Sequence, residues 1–360
     1  MLLDQYISKH SKKDEWRYYH KMNYNDFPFD SSDNAKEFIK QYFKTGEKDS
    51  IFNNKCIEGI SDIRLYHTVS LFFLGILLRP LFEKELQKLK PGFLYYWFLT
   101  SLFHDYGYSI ENDKDNYIPK QINICQLKDK LGISDYSLFN QAFKSTIAVN
   151  SQPPQRINID NGLIINYYDY CRMHKNIEFI NHGIVGGLLL YHGLRRNFED
   201  TLEKARIDNP NLDDQDFNYP DRNGVHWSRS HEKYYRFVAE SIIVHNIFFA
   251  SKDDDKKVYK EYGIEKLILS EGSKVKYDAF LFLLVLADTI EPIKHFNQIN
   301  PRCILEKIDI SIDEVKKTIS IKIFDECLNS EKYFEKILDL KNWLNVKDVN
   351  HSDREIKITL

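Results

Sequence analysis

The stretch from Phe93 to Gly107 reads FLYYWFLTSLFHDYG. From Phe93 to Phe103 it carries no charge, and apolar and aromatic side chains occupy every turn. A run apolar on all sides predicts a helix buried in a protein core. It then stops on His104 and Asp105, two residues of the types found as metal ligands. A lone buried Asp costs several kcal/mol, so an internal partner is required, and a metal ion is one such partner.

Outward from this stretch the chain reads as mainly helical. Leu65, Val69, Phe72, Phe73 and Leu77 recur at three- and four-residue spacing, which predicts one face of a helix from Asp62 to Leu78. Pro91-Gly92 separates it from the Phe93 helix. The runs Val69 to Leu78 and Phe93 to Phe103 are both too short to span a bilayer, and charged residues lie between them. Further helices are expected from Ser32 to Phe43, Ile177 to Asn197, Glu232 to Ala250 and Lys274 to Thr289. The segment 209–230, with Pro210, Pro220 and Asn223-Gly224, reads as a long loop.

The period changes near the C-terminus. Ile308, Ile310 and Ile312 alternate with polar residues, as do Ile319, Ile321 and Ile323, with a turn at Asp313 to Lys317 between them. A hairpin, a helix from Lys332 to Leu344 and a last strand from Glu355 to Leu360 are expected. The chain therefore divides into an N-terminal extension (1–55), a helical metal-binding domain (56–300) and a small α+β appendage (301–360). An Asn- and Asp-rich insertion at about 111–170, with an amphipathic stretch near Leu127 to Leu138, is a candidate lid.

Bulk composition narrows the function classes. Apolar residues make up 42% and charged residues 29%, a globular balance. A net charge of -3 gives no signal for nucleic acid or an anionic membrane. The cysteines Cys56, Cys125, Cys171, Cys303 and Cys327 include no CxxC pair, so they read as reduced thiols of a cytoplasmic, soluble protein. No basic, apolar leader opens the sequence. The edge strands of the appendage leave homo-oligomerisation open.

Four further segments place a ligand-type residue where the periodicity expects core. His67 lies in the Asp62 helix. His182 opens the run His182-Gly-Ile-Val-Gly-Gly187, whose glycines permit close approach of a helix or ligand. His245 sits inside Ser241 to Ile247, and Asp288 ends the apolar run Phe280 to Ala287. A lone buried His is more often hydrogen-bonded to a carbonyl than bound to metal. Several in one pattern point to a metal site. His174 or His192 is an alternative source for the His182 imidazole.

The order His67, His104-Asp105, His182, His245, Asp288 resembles the HD-domain superfamily of metal-dependent phosphohydrolases, which is all-helical. The matching pieces are Arg64-Leu-Tyr-His67, His104-Asp-Tyr-Gly107, His182-Gly-Ile-Val-Gly186, Ile243-Val-His-Asn246 and Ala287-Asp-Thr-Ile-Glu291, covering roughly residues 60–295. The resemblance implies a helical bundle in which His67, His104, Asp105 and Asp288 ligate one ion. His182 and His245 match the additional histidines of two-metal members, with Asp105 bridging. It further implies one or two divalent ions (manganese, iron, zinc, nickel, cobalt or magnesium) and hydrolysis of a nucleotide or cyclic nucleotide by a metal-activated hydroxide. Asp105 and Arg64 are the catalytic candidates, since an Arg at the latter place contacts substrate phosphate in several members. Tyr108 replaces the Lys of the cyclic-di-nucleotide branch, and that branch's Gly-Tyr-Pro is absent, which points away from cyclic di-GMP.

The same pattern also occurs in di-iron oxygenases similar to inositol oxygenase. A catalytically silent nucleotide-binding regulatory protein is a third reading. Glu291 and Lys294 read either as groups supporting the ligands or as an ordinary ion pair. Arg195-Arg196 reads as a complement to a helix C-terminus. His226 and His231 read as surface or substrate-side residues, and His10, His20 and His351 as solvated.

Overall fold

The computed structural model describes residues 2–10, 27–44, 59–86, 93–111, 122, 124–132, 161–174, 181–212, 229–246, 253–264, 279–326, 328–342 and 344–360. The helices in chain order are α1 (Leu2–His10), α2 (Ser32–Lys44), α3 (Asp62–Leu78), α4 (Phe93–Phe103), α5 (Ile124–Leu131) and α6 (Asn161–His174). They continue with α7 (His182–Asp208), α8 (Arg229–Val244), α9 (Asp253–Glu261), α10 (Ala279–Ile290), α11 (Pro301–Lys307) and α12 (Ser330–Leu338). Single helical turns follow α3 at Glu83–Leu86 and α4 at Tyr108–Glu111. The strands are β1 (Ile308–Asp313), β2 (Thr318–Ile323), β3 (Asp348–Ser352) and β4 (Glu355–Thr359). The described chain is mainly helical with a small C-terminal antiparallel sheet.

Two helices sit at the centre because their sequences leave no polar face. Every residue of α10 from Ala279 to Ile290 is buried, as the all-round apolar run requires. From Val69 to Leu78, α3 is buried throughout. It packs against α2, α4 and α10. Asp62 stands in its first turn, where a carboxylate complements the helix dipole. Pro80 tightens its end into a 3-10 turn, since proline cannot continue the hydrogen-bond ladder. The segment Asp62–Phe82 is long and apolar enough to cross a membrane by length and composition, but most of it is buried inside the protein, as in a core helix.

The second half of the bundle is the pair α7 and α8. Asn181 caps α7, its side chain accepting from Gly183 N at 2.8 Å. This helix runs to Asp208, beyond the expected end at Asn197. Arg195 and Arg196 are therefore mid-helix and pair four residues on, with Glu199 and Asp200. The dipole reading of these arginines is corrected accordingly.

The appendage has strand order β1-β2-β4-β3, all antiparallel. Ile310 pairs with Ile321, and Ile321 in turn with Ile356, placing one isoleucine row on the buried face. The expected hairpin thus forms, with Ile308 opposite Ile323 and Ile312 opposite Ile319. Strand β3 was not expected because Asp348-Val-Asn-His-Ser352 offers one apolar residue, Val349, for burial. An edge position tolerates that polarity.

Helix α6 straddles the expected insertion boundary at residue 170, with Tyr167, Tyr168 and Cys171 buried. Most of the candidate lid lies outside the described residues. So do the loop from 213 to 228, with His226, and His20, Cys56 and Cys327. Of the described thiols, Cys171 is buried and Cys303 half-buried, and neither is in a disulfide.

Candidate metal centre

Five separate elements deliver the site. Helix α3 carries Arg64 and His67 one turn apart. The turn closing α4 carries His104 and Asp105, where His104 N makes a helical bond to Thr100 O at 2.9 Å. His182 opens α7, His245 follows the end of α8, and Asp288 lies in the last turn of α10. All six ligand candidates are buried. The close approach of these elements depends on two glycines. A Cβ at Gly107 would stand 2.1 Å from His182 O, and one at Gly183 would stand 2.7 Å from Ile242 O and 3.0 Å from the His245 ring. Any side chain at either place would push the histidine-bearing segments apart.

The ligand atoms form two adjoining groups: His67, His104 and Asp288, then Asp105, His182 and His245. Within each, the atoms offered lie within 4.8 Å of one another. His67 Nε2 is 3.2 Å from His104 Nε2 and 3.0 Å from Asp288 Oδ1. Asp105 stands between the groups. Its Oδ2 is 3.6 Å from His67 Nε2, while Oδ1 is 3.5 Å from His104 Nε2 and 3.4 Å from His182 Nε2.

The other ring nitrogens decide what these atoms offer. His67 Nδ1 meets Glu291 Oε2 at 2.6 Å, His104 Nδ1 meets Ser101 O at 2.7 Å, and His245 Nδ1 meets Ile242 O at 2.6 Å. Carbonyls and carboxylates accept only, so each Nδ1 carries the proton and each neutral ring turns a bare Nε2 lone pair inward. Lone pairs of His67 and His104 then face each other and a carboxylate oxygen across the interior. His245 Nε2 is buried with no hydrogen-bond partner. Such a set fits a divalent cation, which would convert mutual repulsion into coordination. His182 differs, because its Nε2 also receives Asn246 Nδ2 at 2.8 Å.

Charge distribution agrees with this fit. Burial opposes protonation of His67, but its hydrogen bonds to Asp288 and Glu291 outweigh it and push the imidazole up to about 9. Without a metal, a proton on Nε2 therefore serves as the cation of the first group. Burial instead takes His104 down to about 4 and His245 to about 3. Burial also works against ionising Asp105, yet His104, His182, Arg64 and His67 hold it well below the carboxylate range. Because His104 is neutral near pH 7, Arg64 and His67 are the cations that act there. Asp288 is held low, against burial, by Lys294 and His67.

Around the ligands, Arg64 Nη1 donates to Asp105 Oδ2 at 3.3 Å. Its guanidinium lies 4.1 Å over the Tyr108 ring, which stacks on His182 at 3.7 Å. Tyr108 thus contacts both the ligand candidate His182 and Arg64, a placement its position in the sequence did not disclose. Lys294 Nζ donates to Asp288 Oδ1 at 2.7 Å, so the side chains of Lys294 and Glu291 each meet a different ligand candidate, while the Lys294 backbone N–H donates to Glu291 Oε2 at 3.2 Å. His192 belongs to neither group. His351 is exposed on β3. The side chains of His10, His174 and His231 lie outside the described set.

Comparison of the chain with protein-family models, with curated proteins and with solved structures matches nothing.

Proposed function

We propose that the chain is a metal-dependent phosphohydrolase of the HD type, a phosphodiesterase or phosphatase acting on a nucleotide or cyclic nucleotide. The observation that carries this reading is the convergence of the imidazoles of His67, His104 and His245 on Asp105 and Asp288 in a buried site, with His245 Nε2 left without a hydrogen-bond partner. The order of these residues along the chain supports the family, and Asp105, with an oxygen toward each group, supports a two-ion arrangement.

His67, His104, Asp105 and Asp288 would hold one ion, and Asp105, His182 and His245 a second. Manganese, iron, zinc, nickel, cobalt and magnesium are the candidates. A divalent ion there supplies Lewis acidity toward a phosphoryl oxygen and lowers the pKa of water. Arg64 is about one-third exposed beside Asp105 and can clamp phosphoryl oxygens through two N–H groups. Tyr108 holds that guanidinium from below. Lys294 and Glu291 keep Asp288 and His67 in their ligating orientations.

Elemental analysis of purified wild-type protein beside Asp105→Asn, each then assayed on a nucleotide and cyclic-nucleotide panel, tests the reading. Roughly two metal equivalents, lost together with hydrolysis in the variant, are expected. Iron-dependent oxygen consumption without phosphoester turnover would transfer the site to the di-iron oxygenases. Tight nucleotide binding by a metal-free wild type would make it a silent regulatory protein.

A further inference from the structure

Helix α10 ends in an exchanged set of hydrogen bonds. In an unbroken helix the N–H of Ile293 would reach Thr289 O, and that of Lys294 would reach Ile290 O. Pro292 has no N–H and stops the ladder. The Glu291 carboxylate takes both donors instead: Ile293 N–H reaches Oε1 at 2.9 Å and Lys294 N–H reaches Oε2 at 3.2 Å. The same Oε2 meets His67 Nδ1 at 2.6 Å.

The carbonyls of Thr289 and Ile290 thereby lose their helical donors in a buried stretch, where an unpaired backbone group is costly. Two side chains from farther along the chain take the place of those donors. His295 Nε2 donates to Thr289 O at 3.1 Å, and the Tyr333 hydroxyl donates to Ile290 O at 2.5 Å. Tyr333 belongs to α12 of the C-terminal appendage and is buried, with its ring 5.0 Å from that of His295 and 5.4 Å from that of Phe296. Burial raises its phenol well above the ordinary range, so the hydroxyl keeps the proton it donates. The Ile290 carbonyl and the Glu291 N–H share one planar peptide unit. Glu291 N–H reaches Ala287 O at 2.9 Å, so that plane is tied at both ends where the Glu291 side chain starts toward His67.

We infer that Tyr333, with His295, is a positioning residue for the ligand candidate His67: by taking the Ile290 and Thr289 carbonyls, the two side chains free the N–H groups that hold Glu291 against the imidazole. The appendage is then part of the metal centre. This rests on the metal-centre reading above. Groups behind a ligating histidine fix its tautomer and ring orientation, and their removal lowers metal affinity.

The test is cobalt affinity of the full chain, measured against a chromogenic chelator, with folding followed by circular dichroism. Glu291→Ala is expected to weaken binding by ~10- to 100-fold. Tyr333→Phe, which keeps the packed ring, is expected to weaken it by roughly three- to tenfold, as a more distant support of the same histidine. In the double variant the Tyr333→Phe loss should vanish, because the carboxylate that transmits it is gone. Wild-type affinity in Tyr333→Phe, or an undiminished further loss in the Glu291→Ala background, overturns the inference and leaves the metal centre standing. No cobalt binding by wild type overturns the metal centre and the inference with it. If Tyr333→Phe does not fold, half-buried His295 decides the matter. His295→Leu should lose affinity severalfold, while His295→Gln, whose amide N–H can replace Nε2–H, should stay near wild type. Equal affinities in those two variants overturn the inference.

Discussion

His67 Nε2 and His104 Nε2 stand 3.2 Å apart with both Nδ1 atoms already committed, one to Glu291 and one to Ser101 O. Two lone pairs at that distance in a dry interior need one cation between them, whether a proton or a metal ion. Metal loading should therefore stabilise the fold strongly. At a free-metal concentration near one hundred times Kd the gain is about 2.7 kcal/mol. A chelator should then lower Tm by on the order of 5 °C. Thermal scans with and without chelator check this, and equal Tm values would refute it.

A metal ion at the proposed centre would compete with a proton for His67, so uptake should depend on pH. The folded imidazole is raised from 6.5 to about 9. Its charged form contributes stability to the metal-free protein that is complete below about pH 6.5 and lost as pH climbs through 9. His104 and His245 are lowered to about 4 and about 3, so their contribution is present above 6.5 and lost as pH falls toward those values. From these three groups, metal-free stability should peak near pH 6.5. Metal uptake near pH 7.5 should release about one proton, and affinity should rise with pH up to about 9. Titration calorimetry in two buffers of different ionisation heat measures that proton directly; a count of zero would remove His67 from the ligand set.

Gly183→Ala tests the approach of α7 to the end of α8. The added methyl would lie 2.7 Å from Ile242 O and 3.0 Å from the His245 ring. Overpacking of this kind costs typically 1–3 kcal/mol. The displaced His245 belongs to the second group alone, so the variant should keep one metal equivalent and lose the other. Loss of both, or of neither, in elemental analysis would contradict the two-group arrangement.

Substitution at Tyr108 separates the ring from its hydroxyl. Arg64 covers one part of its surroundings at 4.1 Å and His182 stacks at 3.7 Å. Tyr108→Phe keeps both contacts and should behave like wild type toward a hydrolysed phosphoester. Tyr108→Ala removes a cation–π contact worth about 0.5–1 kcal/mol at a part-exposed site, and KM should rise severalfold with a smaller change in kcat. An unchanged KM in Tyr108→Ala would sink the role given to the stack.

The sequence by itself determined the helical class, the hairpin and the segments whose His and Asp side chains prove buried and adjoining. The reason is local: His67, His104, Asp105, His245 and Asp288 each interrupt an apolar pattern, and a buried polar group demands a partner wherever it occurs. It could not say which partner. Glu291 sits 224 residues from His67, and Ser70 faces Tyr6 across 64 residues, so nothing in either neighbourhood marks the bond. Glu291 and Lys294 look like an ordinary helical pair until the helix ends at Ile290 and the turn after Pro292 lets one side chain reach His67 and the other Asp288. Helix α6 and strand β3 were missed because each buries only a few side chains, and their partners lie in distant elements. Periodicity records which residues are inside; only the packing of α1, α3, α7, α8 and α10 decides which of them meet.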